Sequence, residues 1–203
     1  MEEIGLFPLP LVLMPGEQTP LHIFEPRYRE LVAECLERAE PFGLVLADDD
    51  GIREVGTRAL VVEVLDRFED GRLNIVIEGG DRFRVVGLTT GREFQTAEID
   101  ALDDELEQPS EDEREQTLAA FDKVVEAAEA ELDEFDRDGD DLSFQIAARI
   151  DLGTEVKQQL LEMRSERDRV VELSELLDRA AEAVAREREV RHRASGNGRV
   201  EAL

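Results

Sequence analysis

Short apolar runs separated by turn-forming residues occupy the first hundred or so positions of the chain. Pro8, Pro10 and Pro15-Gly16 interrupt the first of these runs, which is typical of brief strands joined by tight turns. Asp70-Gly71 stands between two runs rich in β-branched residues and predicts a hairpin, because both central residues of a type I′ turn need positive φ. Gly79-Gly80 predicts another turn. Further strands are predicted at 21–24, 42–47, 55–65, 72–77, 83–85 and 94–99.

One amphipathic helix interrupts these strands early in the chain. Pro26 suits a first helical position, because proline has no N–H to lose there. Apolar residues then recur at helical spacing up to about position 38, at Tyr28, Leu31, Val32, Cys35 and Leu36. Short strands around one early helix indicate an α+β fold in which a small, mostly antiparallel sheet is rolled into a partial barrel.

Helical periodicity replaces strand alternation after about position 105. Ser110 with Glu113 has the pattern of a capping box, in which each side chain satisfies an unpaired N–H at a helix start. An amphipathic helix is predicted from there to about Phe135. A short helical pattern follows at 142–150, another begins at 154, and a longer one begins at 165.

The change of periodicity divides the chain into segments. We expect a β-rich part at 1–105 and a helical bundle at 106–190. From Arg191 the sequence has no periodicity, so 191–203 is predicted to be a flexible tail.

The chain is strongly acidic, with 51 Asp and Glu against 24 Lys and Arg and a net charge of −27. Nucleic acid adds its own dense negative charge, so we expect no nucleic-acid partner. The sequence shows neither an apolar run long enough to span a bilayer nor a signal peptide. We therefore expect no membrane association and a cytoplasmic location. Cys35 is the single cysteine, which leaves no disulfide framework.

Only Lys123 and Lys157 are lysines, and the other basic residues are arginines. Two explanations remain open. An acidic, lysine-poor surface suits a salty cytoplasm, because screening relieves self-repulsion. A codon bias toward arginine would produce the same composition. Thermal melts at rising potassium chloride distinguish them, since only the first explanation predicts a clear gain in melting temperature.

The sequence carries no catalytic signature that we recognise. Neither lysine follows a glycine, so a phosphate-binding G-x-x-x-x-G-K-[ST] loop is impossible. His22 and His192 form no H-E-x-x-H zinc motif. The loop around Gly139 resembles a calcium site only faintly, because Gln145 stands where a bidentate glutamate is needed. We expect no enzyme activity, no metal and no cofactor, with a carboxylate-based hydrolase as a distant alternative.

Six segments resemble, in the expected order, the N-terminal domain of Lon protease, the substrate-recognition module of that ATP-dependent enzyme. They are P-L-H-I-F-E-P-R-Y-R at 20–29, V-G-T at 55–57, D-G-R-L-N-I at 70–75, E-G-G-D-R-F-R-V at 78–85, S-F-Q-I-A-A-R-I at 143–150 and K-Q-Q-L-L-E-M at 157–163. The resemblance covers about 4–188. It implies a PUA-like partial antiparallel β-barrel with one early helix, followed by an α-helical bundle. It also implies a stand-alone form that lacks the ATPase and protease domains, since no residue here matches the Ser–Lys dyad of Lon proteolysis.

The junction between the 21–24 strand and the first helix is the candidate polypeptide-binding site, formed by Phe24, Glu25, Arg27, Tyr28 and Glu30. Two roles are open for this junction. In a structural role, Glu25 or Arg29 caps the corner and Tyr28 packs beneath it. In a binding role, Arg27 and Glu30 touch a polypeptide from the exposed face. The resemblance further marks five residues as a structural signature: Pro26, Gly56, Gly79, Arg82 and Arg84.

The resemblance implies non-covalent recognition of unfolded or damaged polypeptides, as part of protein quality control. We expect the ligand to dock on apolar surface where 7–14 and 21–24 meet the first helix. The alternative is a regulatory or scaffolding adaptor that docks on one folded partner, such as an ATP-dependent protease. A recognition module should bind many unfolded chains weakly, whereas an adaptor should bind one protein tightly.

Overall fold

The computed structural model of the protein describes residues 2–49, 51–132 and 134–196. These residues form six strands and five helices. In chain order they are β1 (Glu2–Leu9), β2 (Gln18–Ile23), α1 (Pro26–Arg38), β3 (Phe42–Asp48), β4 (Gly51–Arg67), β5 (Leu73–Thr89), β6 (Thr96–Ala101), α2 (Glu111–Ala128), α3 (Leu142–Ala147), α4 (Thr154–Glu162) and α5 (Glu166–Gly196). The fold is therefore α+β.

The chain divides into two compact units. The first contains 1–105 together with 144–164, and the second contains 106–143 and the chain from 165 onward. The segment 144–164 had been predicted to belong to the helical bundle. It joins the first unit because long-range hydrogen bonds hold it there: Arg82 Nη1 donates to the carbonyl oxygens of Leu161 and Met163, and Gln158 Nε2 donates to that of Val55.

The six strands of the first unit form one sheet in the order β2-β5-β4-β3-β1-β6, and an additional pairing of β5 with β6 closes it. Closure is possible because β5 is 17 residues long. Its first half pairs with β2 and its second half pairs with β6 along the same edge. Every strand pairing is antiparallel except that of β1 with β3, which run parallel with Leu6 opposite Gly43, so the barrel is mostly antiparallel, as predicted.

The predicted turn at Gly79-Gly80 is wrong, since both residues lie inside β5. A Cβ atom at Gly79 would stand 2.2 Å from the carbonyl oxygen of Met14. The Gly79 N–H donates to Glu17 O, and its own carbonyl accepts from Gly16 N. Glycine is needed here for the close approach of another backbone segment, which is a second common reason for glycine in a strand.

The hairpin predicted at Asp70-Gly71 is present, but its connection is longer than a two-residue turn. Strand β4 ends at Arg67 and β5 begins at Leu73. Gly71 alone of the two central residues has a positive φ, of 85°. The type I′ geometry is therefore replaced by a five-residue loop, 68–72.

Helix α1 spans the residues that the apolar spacing predicts, with Pro26 in its first turn and Ala39 in the left-handed conformation at its end. Among the described residues of the first unit, it packs against the sheet to form the larger of two core clusters. The buried members of that cluster are Phe7, Leu13, Ile23, Tyr28, Leu31, Val32, Phe42, Leu44, Ala59, Leu73, Ile75, Ile77 and Phe94. The smaller cluster fills the barrel beside it with Ile4, Leu6, Val45, Phe83, Ala97 and Ile99.

In the second unit, α2 packs on the long helix α5. The capping box predicted at Ser110 and Glu113 is confirmed, with both reciprocal hydrogen bonds present. Helix α2 ends at Ala128, short of the predicted Phe135, because Glu129 takes the left-handed conformation with a φ of 53°. Helix α5 continues to Gly196, so residues 191–196 are helical rather than part of a flexible tail. Residues 197–203 of that predicted tail lie outside the described residues.

Candidate functional site

Three strand segments of the first unit extend the barrel into an antiparallel flap, which we define as Gln18–Ile23 (all of β2), 60–67 of β4 and 73–78 of β5. Residues that lie directly opposite each other on paired strands share a face of the sheet. The inner face carries Leu73, Ile75 and Ile77, which are buried in the core with α1. The outer face of the flap therefore points away from this core.

The strand register assigns nine residues to the outer face in three cross-strand rows. The rows are Leu60–Glu78–Gln18, Glu63–Val76–Pro20 and Asp66–Asn74–His22. Two further residues of β4, Val62 and Leu65, lie at irregularities in its pairing with β5 and are also exposed. Phe24 and Phe68 follow the ends of β2 and β4. We use "outer face" for the nine residues and these four.

Large apolar side chains are unusually exposed on the outer face. Phe24 is 60% exposed, Leu65 49%, Leu60 and Val62 43% each, and Phe68 40%. Scattered single apolar side chains on a surface need no explanation, but a contiguous apolar patch marks an interaction site. Leu60, Val62 and Leu65 lie on β4, Phe68 directly follows β4, and Phe24 directly follows β2 on the other side of β5. The His22 ring, which contacts both Phe24 and Phe68, links the two sides. The outer face is therefore the candidate binding surface of the first unit.

An aromatic cluster lies at the end of the flap where β2 and β4 stop. The His22 ring stacks on Phe24 with centroids 6.0 Å apart, and it meets Phe68 edge-on at 6.1 Å. The Arg72 guanidinium lies over the Phe68 ring, 5.1 Å from its centroid. Aromatic rings in such arrangements present both an apolar surface and a negative face.

Side-chain hydrogen bonds link the row Asp66–Asn74–His22, which lies next to the aromatic cluster. His22 Nδ1 and Asn74 Oδ1 are 2.6 Å apart, and Asn74 Nδ2 donates to Asp66 Oδ2 at 2.8 Å. Because Asn74 Oδ1 can only accept, His22 Nδ1 is the donor in this pair. The hydrogen bonds hold the imidazole in place beside Phe24 and Phe68.

The five residues predicted to bind polypeptide fall in different environments. Phe24 lies on the outer face. Tyr28 is 6% exposed and stacks on Phe7 at 4.0 Å, so it is a core residue, and burial raises the pKa of its hydroxyl. Glu25 accepts two hydrogen bonds from Arg27 and makes no side-chain cap to α1. Glu30 is exposed on α1.

The predicted docking surface, where 7–14 and 21–24 meet α1, is largely buried instead of exposed. Phe7, Leu13, Met14 and Ile23 are at most 4% exposed. The corner is stabilised by Arg29, whose Nη1 donates to the carbonyl oxygen of Asp70 in the β4–β5 loop at 2.5 Å. The structural role considered for this junction is therefore filled by Arg29 and Tyr28, and not by Glu25.

Four of the five residues predicted as a structural signature make contacts within the fold that explain the residue type. Pro26 starts α1, and the role of Gly79 in the approach of Met14 is described above. A Cβ at Gly56 would stand 2.4 Å from the carbonyl oxygen of Leu44 on the paired strand β3. Arg82 is 5% exposed and binds the end of α4, whereas Arg84 lies on the surface and contacts Glu54.

Four exposed residues of the outer face were not predicted from the sequence: Leu60, Val62, Leu65 and Phe68. The stretch A-L-V-V-E-V-L at 59–65 was interpreted as an ordinary strand. Its signal was an excess of apolar residues: a strand covered on one face only should alternate, and this one carries apolar residues at consecutive positions. The excess indicated either burial on both faces or an exposed apolar face.

A separate cleft of about 550 Å³ lies in the first unit near the C-terminal end of α1. Leu31, Cys35 and Phe94 contribute apolar walls, and Arg38 and Arg92 both form ion pairs with Glu34 at its edge. Burial raises the pKa of the Cys35 thiol to about 11, which keeps it protonated and unreactive.

Within the described residues, no group of three or more His, Cys, Asp or Glu side chains is arranged to hold a metal ion. A search of the same residues for a helix long and apolar enough to cross a membrane found none.

Comparison with known proteins agrees with this architecture. The family model described as the ATP-dependent protease La (LON) substrate-binding domain matches residues 3–179. Lon protease of Paraburkholderia phytofirmans is 30% identical over 99 residues, which are 45% of this chain and 12% of that protein. Lon protease 1 of Hydrogenovibrio crunogenus is 24% identical over 200 residues, which are 90% of this chain and 24% of that protein. The chain thus spans a quarter or less of these curated relatives.

Two solved structures share the fold. The Lon N-terminal domain protein from Xanthomonas campestris superposes with a TM-score of 0.67 at 24% identity, covering 85% of this chain and 97% of that one. The N-terminal domain of Mycobacterium avium complex Lon protease gives a TM-score of 0.67 at 15% identity, covering 87% and 98%. The family model supplies the classification that these distant likenesses alone do not: the chain belongs to the Lon substrate-binding domain family.

Proposed function

We propose that the protein recognises polypeptides without covalent chemistry, and that it binds apolar segments of unfolded or damaged chains on the outer face of the flap. Membership in the Lon substrate-binding domain family supports a role in substrate recognition. The observation that carries the choice of surface is the exposure of five large apolar side chains on this one flap. Folded proteins bury such side chains, so an unfolded segment offers the matching chemistry.

The expected affinity is modest. Each of the five side chains is about half exposed, and burying the exposed half against a ligand contributes about 1 kcal/mol per side chain. Ordering a flexible ligand opposes much of this gain, so we expect dissociation constants on the order of micromolar. Weak binding with little sequence discrimination suits the recognition of many different unfolded chains.

Side-chain burial, and not strand addition, is the expected mode of binding. Strand β2 stands at the end of the sheet order, so its outer edge offers backbone groups to a peptide. However, Pro20 lies in the middle of β2 and lacks an N–H. Proline on an edge strand interrupts the ladder that a further strand would need.

The partners that follow from this proposal are unfolded or damaged polypeptides and, through the family, an ATP-dependent protease to which they would be delivered. We assign no catalytic residue to the chain. Binding on the outer face would act through apolar contact, which requires neither nucleotide nor metal.

The test is binding of a permanently unfolded, fluorescently labelled protein and of its folded form, in high salt. We expect micromolar binding of the unfolded form only. The double variant F24S/L65S should weaken it about tenfold or more, because it removes two of the exposed anchors. The matched control is V86S/L88S, which changes two side chains on β5 that are 52% and 55% exposed but lie outside the flap.

Equal binding of folded and unfolded forms, or binding of neither, would contradict the proposal and favour an adaptor that docks on one folded partner. Equal loss of binding in the two double variants would place the contact elsewhere than on the outer face.

A further inference from the structure

We propose that the outer face prefers polypeptide segments in which apolar residues are interspersed with lysine or arginine. This inference rests on the proposed function and specifies its substrate class. The occupant is an extended segment that is both apolar and cationic, and the argument is charge complementarity on an otherwise apolar surface.

The charge on the outer face is of one sign. Its nine register positions include Glu63, Asp66 and Glu78 and contain no lysine or arginine. Two of these carboxylates accept hydrogen bonds from neutral amides, Glu78 from Gln18 at 2.6 Å and Asp66 from Asn74 at 2.8 Å. Neutral donors orient a carboxylate but leave its negative charge in place.

Two arginines that border the outer face, Arg72 and Arg27, are paired with neighbouring acids, whereas Arg67 lies opposite Leu73 in a row of the inner face. Arg72 binds Asp70 at 2.7 Å, and Arg27 binds Glu25 at 2.8 Å. Their charges are therefore offset locally, beside the face and not on it. A cationic ligand meets the three carboxylates of the face without strong opposing charge from these two guanidinium groups.

The aromatic cluster provides a second reason to prefer cations. The Arg72 guanidinium already lies over one aromatic ring of the cluster, 5.1 Å from the centroid of Phe68. Phe24 is the most exposed large apolar side chain of the face, at 60%. A ring so exposed offers an incoming lysine or arginine the same contact, and an aspartate or glutamate would meet its negative face.

The net charge of −27 acts in the same direction over a longer range, by raising the rate of encounter with cationic chains. This long-range attraction would act wherever on the chain the binding site lies. A test must therefore separate the carboxylates of the outer face from the charge of the whole chain.

The experiment uses three unstructured peptides with the same apolar residues, spaced by arginine, by glutamine or by glutamate. Their binding to the full chain is measured by fluorescence anisotropy at low and high potassium chloride. We expect the arginine peptide to bind about tenfold more tightly than the glutamine peptide, and the glutamate peptide more weakly still. High salt should narrow the differences without abolishing binding of the glutamine peptide.

The triple variant E63Q/D66N/E69Q removes negative charge from the face and from the adjoining loop. It should reduce the arginine-to-glutamine preference to about threefold or less. The control E37Q/E40Q/E93Q changes the net charge equally, at exposed acids near the end of α1 and in the β5–β6 loop. It should leave the preference unchanged.

Equal binding of the three peptides would overturn this inference and leave the proposed function standing. An equal loss of preference in both triple variants would also overturn it, because the total charge would then suffice. Failure of all three peptides to bind would refute the proposed function, and the inference with it.

Discussion

Replacing Arg82 with alanine should destabilise the first unit by about 3 kcal/mol or more. Arg82 is 5% exposed, and its Nη1 donates to the carbonyl oxygens of Leu161 and Met163, each at 2.6 Å. Its Nη2 binds Asp104, and its guanidinium lies 5.2 Å from the centroid of Phe144. The side chain therefore satisfies the last carbonyl groups of α4, which have no partner within the helix.

The magnitude follows from these contacts. Hydrogen bonds from a charged donor contribute about 1.5–3 kcal/mol each, and R82A removes the two to Leu161 and Met163 together. The ion pair with Asp104 adds little, because the Asp104 side chain is 34% exposed. The matched control is Arg84 on the same strand, which is half exposed and contacts Glu54 at 3.3 Å. Its replacement by alanine should cost no more than about 0.5 kcal/mol. R82K keeps the charge but loses the forked donors, so its cost should be intermediate.

The assay is urea denaturation followed by tyrosine fluorescence. The chain has one tyrosine and no tryptophan, and Tyr28 lies in the core of the first unit, so its emission reports on that unit. Hydrogen exchange should also show faster exchange in α4 of the Arg82 variant, because that helix loses its attachment to β5. A change in unfolding free energy of less than about 0.5 kcal/mol for R82A would refute the reasoning.

Three further predictions test other features. G79A should lower the unfolding free energy by about 2 kcal/mol or more, because its Cβ would stand 2.2 Å from the Met14 carbonyl oxygen. The control G87A should change it by less than about 0.5 kcal/mol, because a Cβ there would have no atom within 4 Å. The pKa of Glu113 is lowered, first by a hydrogen bond from the backbone N–H of Ser110, the α2 N-cap. The stabilising contribution of Glu113 is therefore complete above about pH 4.5 and is lost as pH falls through the lowered pKa. Circular dichroism between pH 6 and 3 should show a shallower loss of helicity in E113Q than in the unchanged protein. Iodoacetamide should alkylate Cys35 at pH 8 about 100-fold more slowly than a free cysteine, because burial raises the pKa of the Cys35 thiol to about 11. A rate near that of free cysteine would contradict the burial of Cys35.

Features that depend on neighbouring residues could be predicted from the sequence. The bounds of α1 follow from Pro26 and the apolar spacing after it, and the capping box at Ser110 and Glu113 closes within four residues. The Asp70-Gly71 hairpin was found for the same reason, although its loop is longer than expected. Motifs in a fixed order also identified the family, which the family model confirms over residues 3–179.

The candidate site could be predicted only in part. Of the residues predicted for it, Phe24 is exposed, whereas Tyr28 was assigned to the same surface and lies in the core. The helical spacing of Tyr28 with Leu31 and Val32 was a local signal that it is covered, whereas Phe24 precedes the helix and carries no such signal. Leu60 and Leu65 were missed because their exposure depends on what packs against β4, and periodicity alone does not show it.

Tertiary structure decided everything that rests on contacts between distant residues. Arg82 and Leu161 are 79 positions apart, and their hydrogen bond places 144–164 with the β-rich unit. The approach of Met14 to Gly79 turns an expected turn into the middle of a strand. Likewise, the parallel pairing of β1 with β3 joins strands that β2 and α1 separate in the chain. A sequence specifies local conformational preference at each position, but which segments meet is decided by the burial and hydrogen bonding of the whole fold.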